Sequence, residues 1–250
     1  MPQIEVHLNP QQVAERAASL TAVSLSEELK KTDQATFVLA GGTLPPVAYA
    51  ILADEYAATL DWHRVLFLIG DERCVPLNDP QSSWPSALPM LEQLSIPDRN
   101  RLRPPSDLPA EQAAAQYSEM LRGVLEAEDQ VAGGISVLWM GMGEDGHTLS
   151  LFPNHPSLAS TTEIVIPVHD SPKPPSDRLS FAMPLMRHVN QAIALVTGAG
   201  KADVVAQILG GDDSLPIVLV TRAVEASGGS VTWLFDEAAV SSVPSVPAQF

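Results

Sequence analysis

A chain of 250 residues with 45% hydrophobic content is long enough to bury a conventional core. It holds no run approaching the ~18–20 apolar residues of a membrane-spanning helix. Its 30 acidic against 14 basic side chains leave a formal net charge of −16, which repels nucleic acid and anionic membranes, so neither is an expected partner.

The opening MPQIEVHLNPQQ lacks the basic start and apolar run of a secretion signal, which makes the cytoplasm the expected address. The single cysteine, Cys74, excludes an internal disulfide and a multi-cysteine zinc site. Val13, Ala17 and Leu20 form a helical stripe near the start. Five short apolar runs, at 36–40, 65–69, 135–140, 192–197 and 231–235, read as buried strands. Helical patterns lie between them, among them Tyr117, Met120, Leu121, Val124 and Leu125 on one stripe. Alternation of this kind predicts an open α/β fold, a mostly parallel sheet with helices on both faces, whose ligands sit beyond the carboxyl ends of the strands. Residues 76–110 are rich in proline and read as a long connection with one short helix over the site. Residues 1–240 read as a single domain without repeats, and the tail from 241 to 250 as disordered.

Three loops follow strands. In LAGGTLPP, residues 39–46, Gly41 and Gly42 allow a sharp turn and close approach to a ligand, and Thr43 adds a hydroxyl ahead of a helix start. In LIGDERCVP, residues 68–76, Arg73 can hold an anion bidentately, with Asp71 or Glu72 restraining its guanidinium, while Cys74 reads as a small core residue. The third, VLWMGMGEDGHTLSLFP at 137–153, sets Asp145 and His147 among Gly141, Gly143 and Gly146. Histidine can take and return a proton near neutral pH, and a neighbouring carboxylate can fix its tautomer. Lys173 and Arg178 in SPKPPSDRLSFAMP, and Lys201 in GAGKADVV, complete a sparse cationic inventory suited to a small anionic metabolite.

In this order, the segments resemble the 6-phosphogluconolactonase family, itself related to the glucosamine-6-phosphate deaminases. The resemblance spans about residues 13–239. It rests on AGGT at 40–43, DERCVP at 71–76, GMGEDGHTLSLFP at 141–153, PKPPSDR at 172–178, GAGK at 198–201 and TWLFDEAA at 232–239. It implies a modified Rossmann-like fold and hydrolysis of a phosphorylated sugar lactone, with no metal or other cofactor. His147 would be the base and Asp145 its orienting acid. Gly41, Gly42, Thr43, Asp71, Arg73, Gly143, Arg178 and Lys201 would hold the sugar phosphate, in a monomer or weak homodimer. Ser83 and Trp84 stand where the family usually has asparagine and tyrosine, and Leu149 where it usually has alanine. Two other readings are a deaminase acting on glucosamine 6-phosphate and a sugar-phosphate sensor without turnover. Against the first, SLFP at 150–153 stands where the deaminases carry an acidic FNEP pattern; against the second, both His147 and Asp145 are present.

Overall fold

In the computed structural model, which describes residues 2–125 and 134–244, the five apolar runs all become strands of one sheet. Chain order begins with β1 (Gln3–His7), α1 (Pro10–Leu29), β2 (Ala35–Leu39), α2 (Pro45–Glu55), β3 (Val65–Ile69) and β4 (Asp71–Arg73). It continues with α3 (Leu88–Gln93), α4 (Ala110–Leu125), β5 (Ile135–Gly141), β6 (Val165–Val168) and β7 (Arg178–Phe181). It closes with β8 (Val189–Val196), α5 (Ala202–Leu209), α6 (Pro216–Ala226) and β9 (Ser230–Asp236). Local chemistry fixes the entry to α1: Asn9 accepts the N–H of Gln12 at 3.0 Å, and Pro10 takes a position where no N–H is needed.

The main sheet runs β1-β9-β8-β5-β2-β3 and every pairing in it is parallel, so all six carboxyl ends emerge along one edge. Both faces are covered, as an all-parallel sheet requires. Strand residues alternate between two cores: Phe37 and Leu39 of β2 pack with α1, α2 and α3, whereas Val38 packs with α4, α5 and α6. In the first core the Trp139 ring of β5 stacks on Tyr49 at 5.2 Å and meets Phe37 edge-on at 4.9 Å, while its N–H donates to Thr21 at 2.8 Å.

Two buried tyrosines finish the strands where the site begins. The Tyr49 hydroxyl accepts the N–H of Ala40 and donates to its carbonyl, each at 2.9 Å. The Tyr117 hydroxyl accepts the N–H of Ile69 at 2.9 Å and faces its carbonyl at 3.0 Å. Ala40 lies just past β2 and Ile69 ends the edge strand β3, so the hydroxyls satisfy backbone groups the sheet leaves open.

A second, three-stranded antiparallel sheet, β4-β7-β6, sits at the carboxyl edge, joined to the first where the Phe181 N–H donates to Gly70. It is a feature the apolar pattern does not announce. The 76–110 connection holds α3 and two short 3-10 turns, Trp84–Ala87 and Asp98–Asn100. On α4 the buried stripe is Ala113, Ala114, Tyr117, Leu121 and Val124, and Met120 is exposed. Of the tail expected to be disordered, Ser241 and Val243 close turns onto Ala238 and Val240, and residues 245–250 lie outside the described residues. Among the described residues no helix is long and apolar enough to cross a membrane.

Replacing Tyr49 by Phe removes one hydroxyl and leaves a buried N–H and a buried carbonyl unpaired. Urea unfolding should show a loss of about 1–3 kcal/mol; wild-type stability would mean that those groups find other partners.

Candidate active site

The carboxyl edge of the sheet opens into a cleft of about 340 Å³. Gly41, Gly42, Thr43, Asp71, Arg73, Gly143, His147, Arg178 and Lys201 all line it, and so does Lys173. Residues drawn from five separate loops of the sequence therefore meet in one place. Asp145 does not line the cleft; it stands behind His147.

The loop after β5 is built around the absence of a side chain. A Cβ on Gly143 would lie 2.0 Å from Nδ1 of His147 and 2.4 Å from Oδ1 of Asp145, so only glycine leaves room for the pair. The turn is tied by the Gly143 N–H donating to the His147 carbonyl at 2.8 Å, and by Thr148 donating to the Gly141 carbonyl at 2.8 Å. Gly146, at φ +77°, turns the chain beneath Leu215 at the start of α6.

His147 Nδ1 faces Asp145 Oδ1 at 2.5 Å, which leaves Nε2 as the ring nitrogen available to a ligand. The imidazole packs on Phe152 at 4.6 Å between ring centres. Its side chain is only 15% exposed. Burial pushes its pKa below the ordinary histidine value, and the bond and charge of Asp145 oppose that without reversing it. For Asp145, burial acts upward, but His147 and Lys173 outweigh it and hold the carboxyl below its usual range.

In the same cleft, Arg73 and Arg178 pair directly across β4 and β7. Both guanidiniums are held by neutral oxygens. Arg73 Nη1 donates to the Ser83 hydroxyl at 2.8 Å and the Gln81 carbonyl at 2.9 Å, and its Nε is buried without a hydrogen-bond partner. Arg178 donates to the carbonyls of Lys173, Pro174 and Pro175 and lies 5.6 Å over the Phe152 ring. It is 4% exposed, and burial lowers its pKa. Lys201 is lowered likewise by burial, with Glu144 opposing. The restraint of Arg73 thus differs from the sequence expectation: neither Asp71 nor Glu72 touches its guanidinium. Asp71 instead accepts the Ser150 hydroxyl at 2.8 Å, and Glu72 accepts the backbone N–H of Arg73.

Across the glycine loop, a Cβ on Gly41 would fall 2.5 Å from the Ser83 hydroxyl, and Gly42 adopts φ +112°. Pro45 and Pro46 carry no N–H, so the donors at this helix start belong to the loop itself. Sequence reasoning did not place Ser83 beside Arg73, nor Trp139, Leu149 and Thr197 in the cleft wall. Ser83 and Leu149 stood out only as departures from the family pattern and Trp139 and Thr197 not at all, because their position depends on how the segment 74–82 folds back and on strand register. Cys74 is half-buried beside the core, and burial, with Asp177 and Glu72 adding, pushes its thiol up to about 11. Among the described residues no group of three His, Cys, Asp or Glu side chains is placed to hold a metal.

Residues 8–233 match the family model described as glucosamine-6-phosphate isomerases/6-phosphogluconolactonase. A 6-phosphogluconolactonase of Streptomyces coelicolor is 34% identical, over 97% of this chain and 95% of that protein. The 6-phosphogluconolactonase of Rattus norvegicus is 33% identical, over 96% of this chain and 94% of its own length. The fold is shared with the 6-phosphogluconolactonase from Trypanosoma cruzi, at a TM-score of 0.83 with 22% identity, covering 98% of both chains. That from Trypanosoma brucei gives a TM-score of 0.76 with 27% identity, over 96% of this chain and 98% of that one. With the family model matched over most of the length and relatives above 30% identity aligned almost end to end, the chain belongs to the glucosamine-6-phosphate isomerase/6-phosphogluconolactonase family.

Proposed function

We propose that this protein hydrolyses 6-phospho-D-glucono-1,5-lactone to 6-phosphogluconate, in the oxidative pentose phosphate pathway and in the cytoplasm. One observation carries the reading: a carboxylate-oriented imidazole and two guanidiniums bonded to neutral oxygens line the same cleft. The relatives named 6-phosphogluconolactonase support it.

Neutral His147 takes a proton at Nε2 from a water as the water oxygen attacks C1 of the lactone. The carbonyl oxygen becomes an oxyanion, with the N–H groups of Gly41 and Gly42 as its proposed donors. Collapse breaks the bond between C1 and the ring oxygen, Nε2 returns its proton to that oxygen as it becomes a hydroxyl, and the new acid loses its remaining proton to solvent. Asp145 holds the imidazole tautomer and stabilises its transient cation. Arg73, Arg178, Lys201 and the Thr43 loop bind the 6-phosphoryl group, so that binding energy remote from C1 orients the reacting atoms. Asp71, anchored by Ser150, is left to accept from a sugar hydroxyl. A lactone is an activated ester, and a base contributing about 10²–10⁴ together with positioning is a sufficient complement, so no metal or other cofactor is assigned. Phe152, rather than a carboxylate, occupies the segment after the histidine and packs on its ring, which disfavours the deaminase chemistry.

His147→Ala should lower kcat by about 10²–10⁴ in a coupled assay with spontaneous hydrolysis subtracted; near-wild-type turnover would remove His147 as the base. Arg73→Ala should raise KM for the phosphorylated lactone by about tenfold or more, and leave glucono-1,5-lactone little affected. An unchanged KM would take Arg73 out of the phosphate site. Because burial holds His147 below 6.5, the acidic limb of kcat/KM should fall below that pH. Asp145→Asn removes the contributions that raise the imidazole pKa, so kcat should drop and the limb should move to still lower pH; movement to higher pH would contradict the assignment.

A further inference from the structure

Glu72, between the cleft-lining Asp71 and Arg73, is a carboxylate only 1% exposed, and among the described residues no cation pairs with it. Its Oε1 accepts the N–H of Arg73 at 2.8 Å and of Ser83 at 2.7 Å. Its Oε2 accepts the N–H of Trp84 and the hydroxyl of Ser82, each at 2.9 Å. Three of these bonds, from Ser82, Ser83 and Trp84, draw that corner back onto β4 across the intervening segment. Burial raises the carboxyl pKa, and all four donors act against that rise, as expected if they serve the ionised form.

The corner so fixed is what holds Arg73. Ser83 gives its hydroxyl oxygen to Arg73 Nη1, and Gln81, immediately before the corner, gives its carbonyl. Among the described residues Nε has no hydrogen-bond partner, so the two bonds to Nη1 orient the guanidinium. The Ser83 hydroxyl also fills the space beside Gly41 that a Cβ would need, so the corner touches the glycine loop as well.

We propose that Glu72 is a positioning residue: its carboxylate fixes the Ser82–Trp84 corner, and through Ser83 that corner aims Arg73 Nη1 at the phosphoryl group of the substrate. The inference rests on the reading of Arg73 as a phosphate ligand. Charge is needed as well as shape. In Glu72→Gln one carboxylate oxygen becomes an NH2 group, which confronts either the Trp84 N–H or the N–H groups of Arg73 and Ser83, donor against donor.

The test is a double-mutant cycle read by NMR titration with inorganic phosphate, alongside lactone kinetics. Glu72→Gln and Ser83→Ala should each weaken phosphate binding by about tenfold, and adding either to Arg73→Ala should weaken it no further. In kinetics both should raise KM for the phosphorylated lactone more than they lower kcat. A merely structural role would instead lower kcat for phosphorylated and unphosphorylated lactones alike and add to the effect of Arg73→Ala. That outcome, or a folded Glu72→Gln protein with wild-type phosphate affinity, overturns the proposal. If Glu72→Gln does not fold, the Ser83→Ala and Arg73→Ala cycle decides in the same way. Wild-type protein that binds phosphate but leaves the lactone intact would end the lactonase reading, while the phosphate cycle would still judge Glu72.

Discussion

The space vacated at Gly143 is the constraint on which the site depends. His147 Nδ1 and Asp145 Oδ1 stand where a Cβ of residue 143 would otherwise be, so the pair exists only because that position carries no side chain. Backbone bonds around the turn then fix the imidazole from one side, and Phe152 supports it from the other. Burial pushes the imidazole pKa below the ordinary histidine value, and the carboxylate beside it opposes that shift.

Electrostatics supply the other half of the cleft. Across a chain of formal charge −16, Arg73 and Arg178 are placed side by side on the small antiparallel sheet and given carbonyls and a hydroxyl instead of carboxylates. A buried guanidinium without a counter-ion is costly, and an anionic ligand relieves that cost on binding. The Phe152 ring touches both systems, with the imidazole at 4.6 Å and the Arg178 guanidinium at 5.6 Å. It lies between the His147 imidazole and one of the cations. Parallel strands bring the loops carrying these residues to one edge, and the tyrosine hydroxyls at Ala40 and Ile69 let the strands end there without stranded backbone groups.

Much of this was legible in the sequence because it is written in short, strong local patterns. Strands β2, β3, β5, β8 and β9 are buried on both faces and read as apolar runs with boundaries within a few residues of those observed. The glycine loops carry their meaning in the residues themselves. The small sheet was not legible: β4 is Asp-Glu-Arg, β6 is interrupted by Pro167, and the alternation in β7, Arg-Leu-Ser-Phe, spans only four residues. Its strands form because they pair with one another over long separations. For the same reason the true partners of Arg73 escaped notice. Ser83 lies ten positions away, and only the fold-back organised by Glu72 brings its hydroxyl to the guanidinium. Asp71 and Glu72, the adjacent acids, point to Ser150 and to backbone N–H groups, which adjacency in sequence could not reveal.

In the proposed reaction, His147 Nε2 and the cationic wall serve opposite ends of one bound sugar phosphate. A crystal structure with 6-phosphogluconate tests it most directly. The account predicts the C1 carboxylate within hydrogen-bond reach of His147 Nε2 and the phosphoryl group against Arg73, Arg178 and Lys201. A ligand bound with its phosphoryl group on His147, or held outside the cleft between β4 and the residue 143 turn, would contradict it.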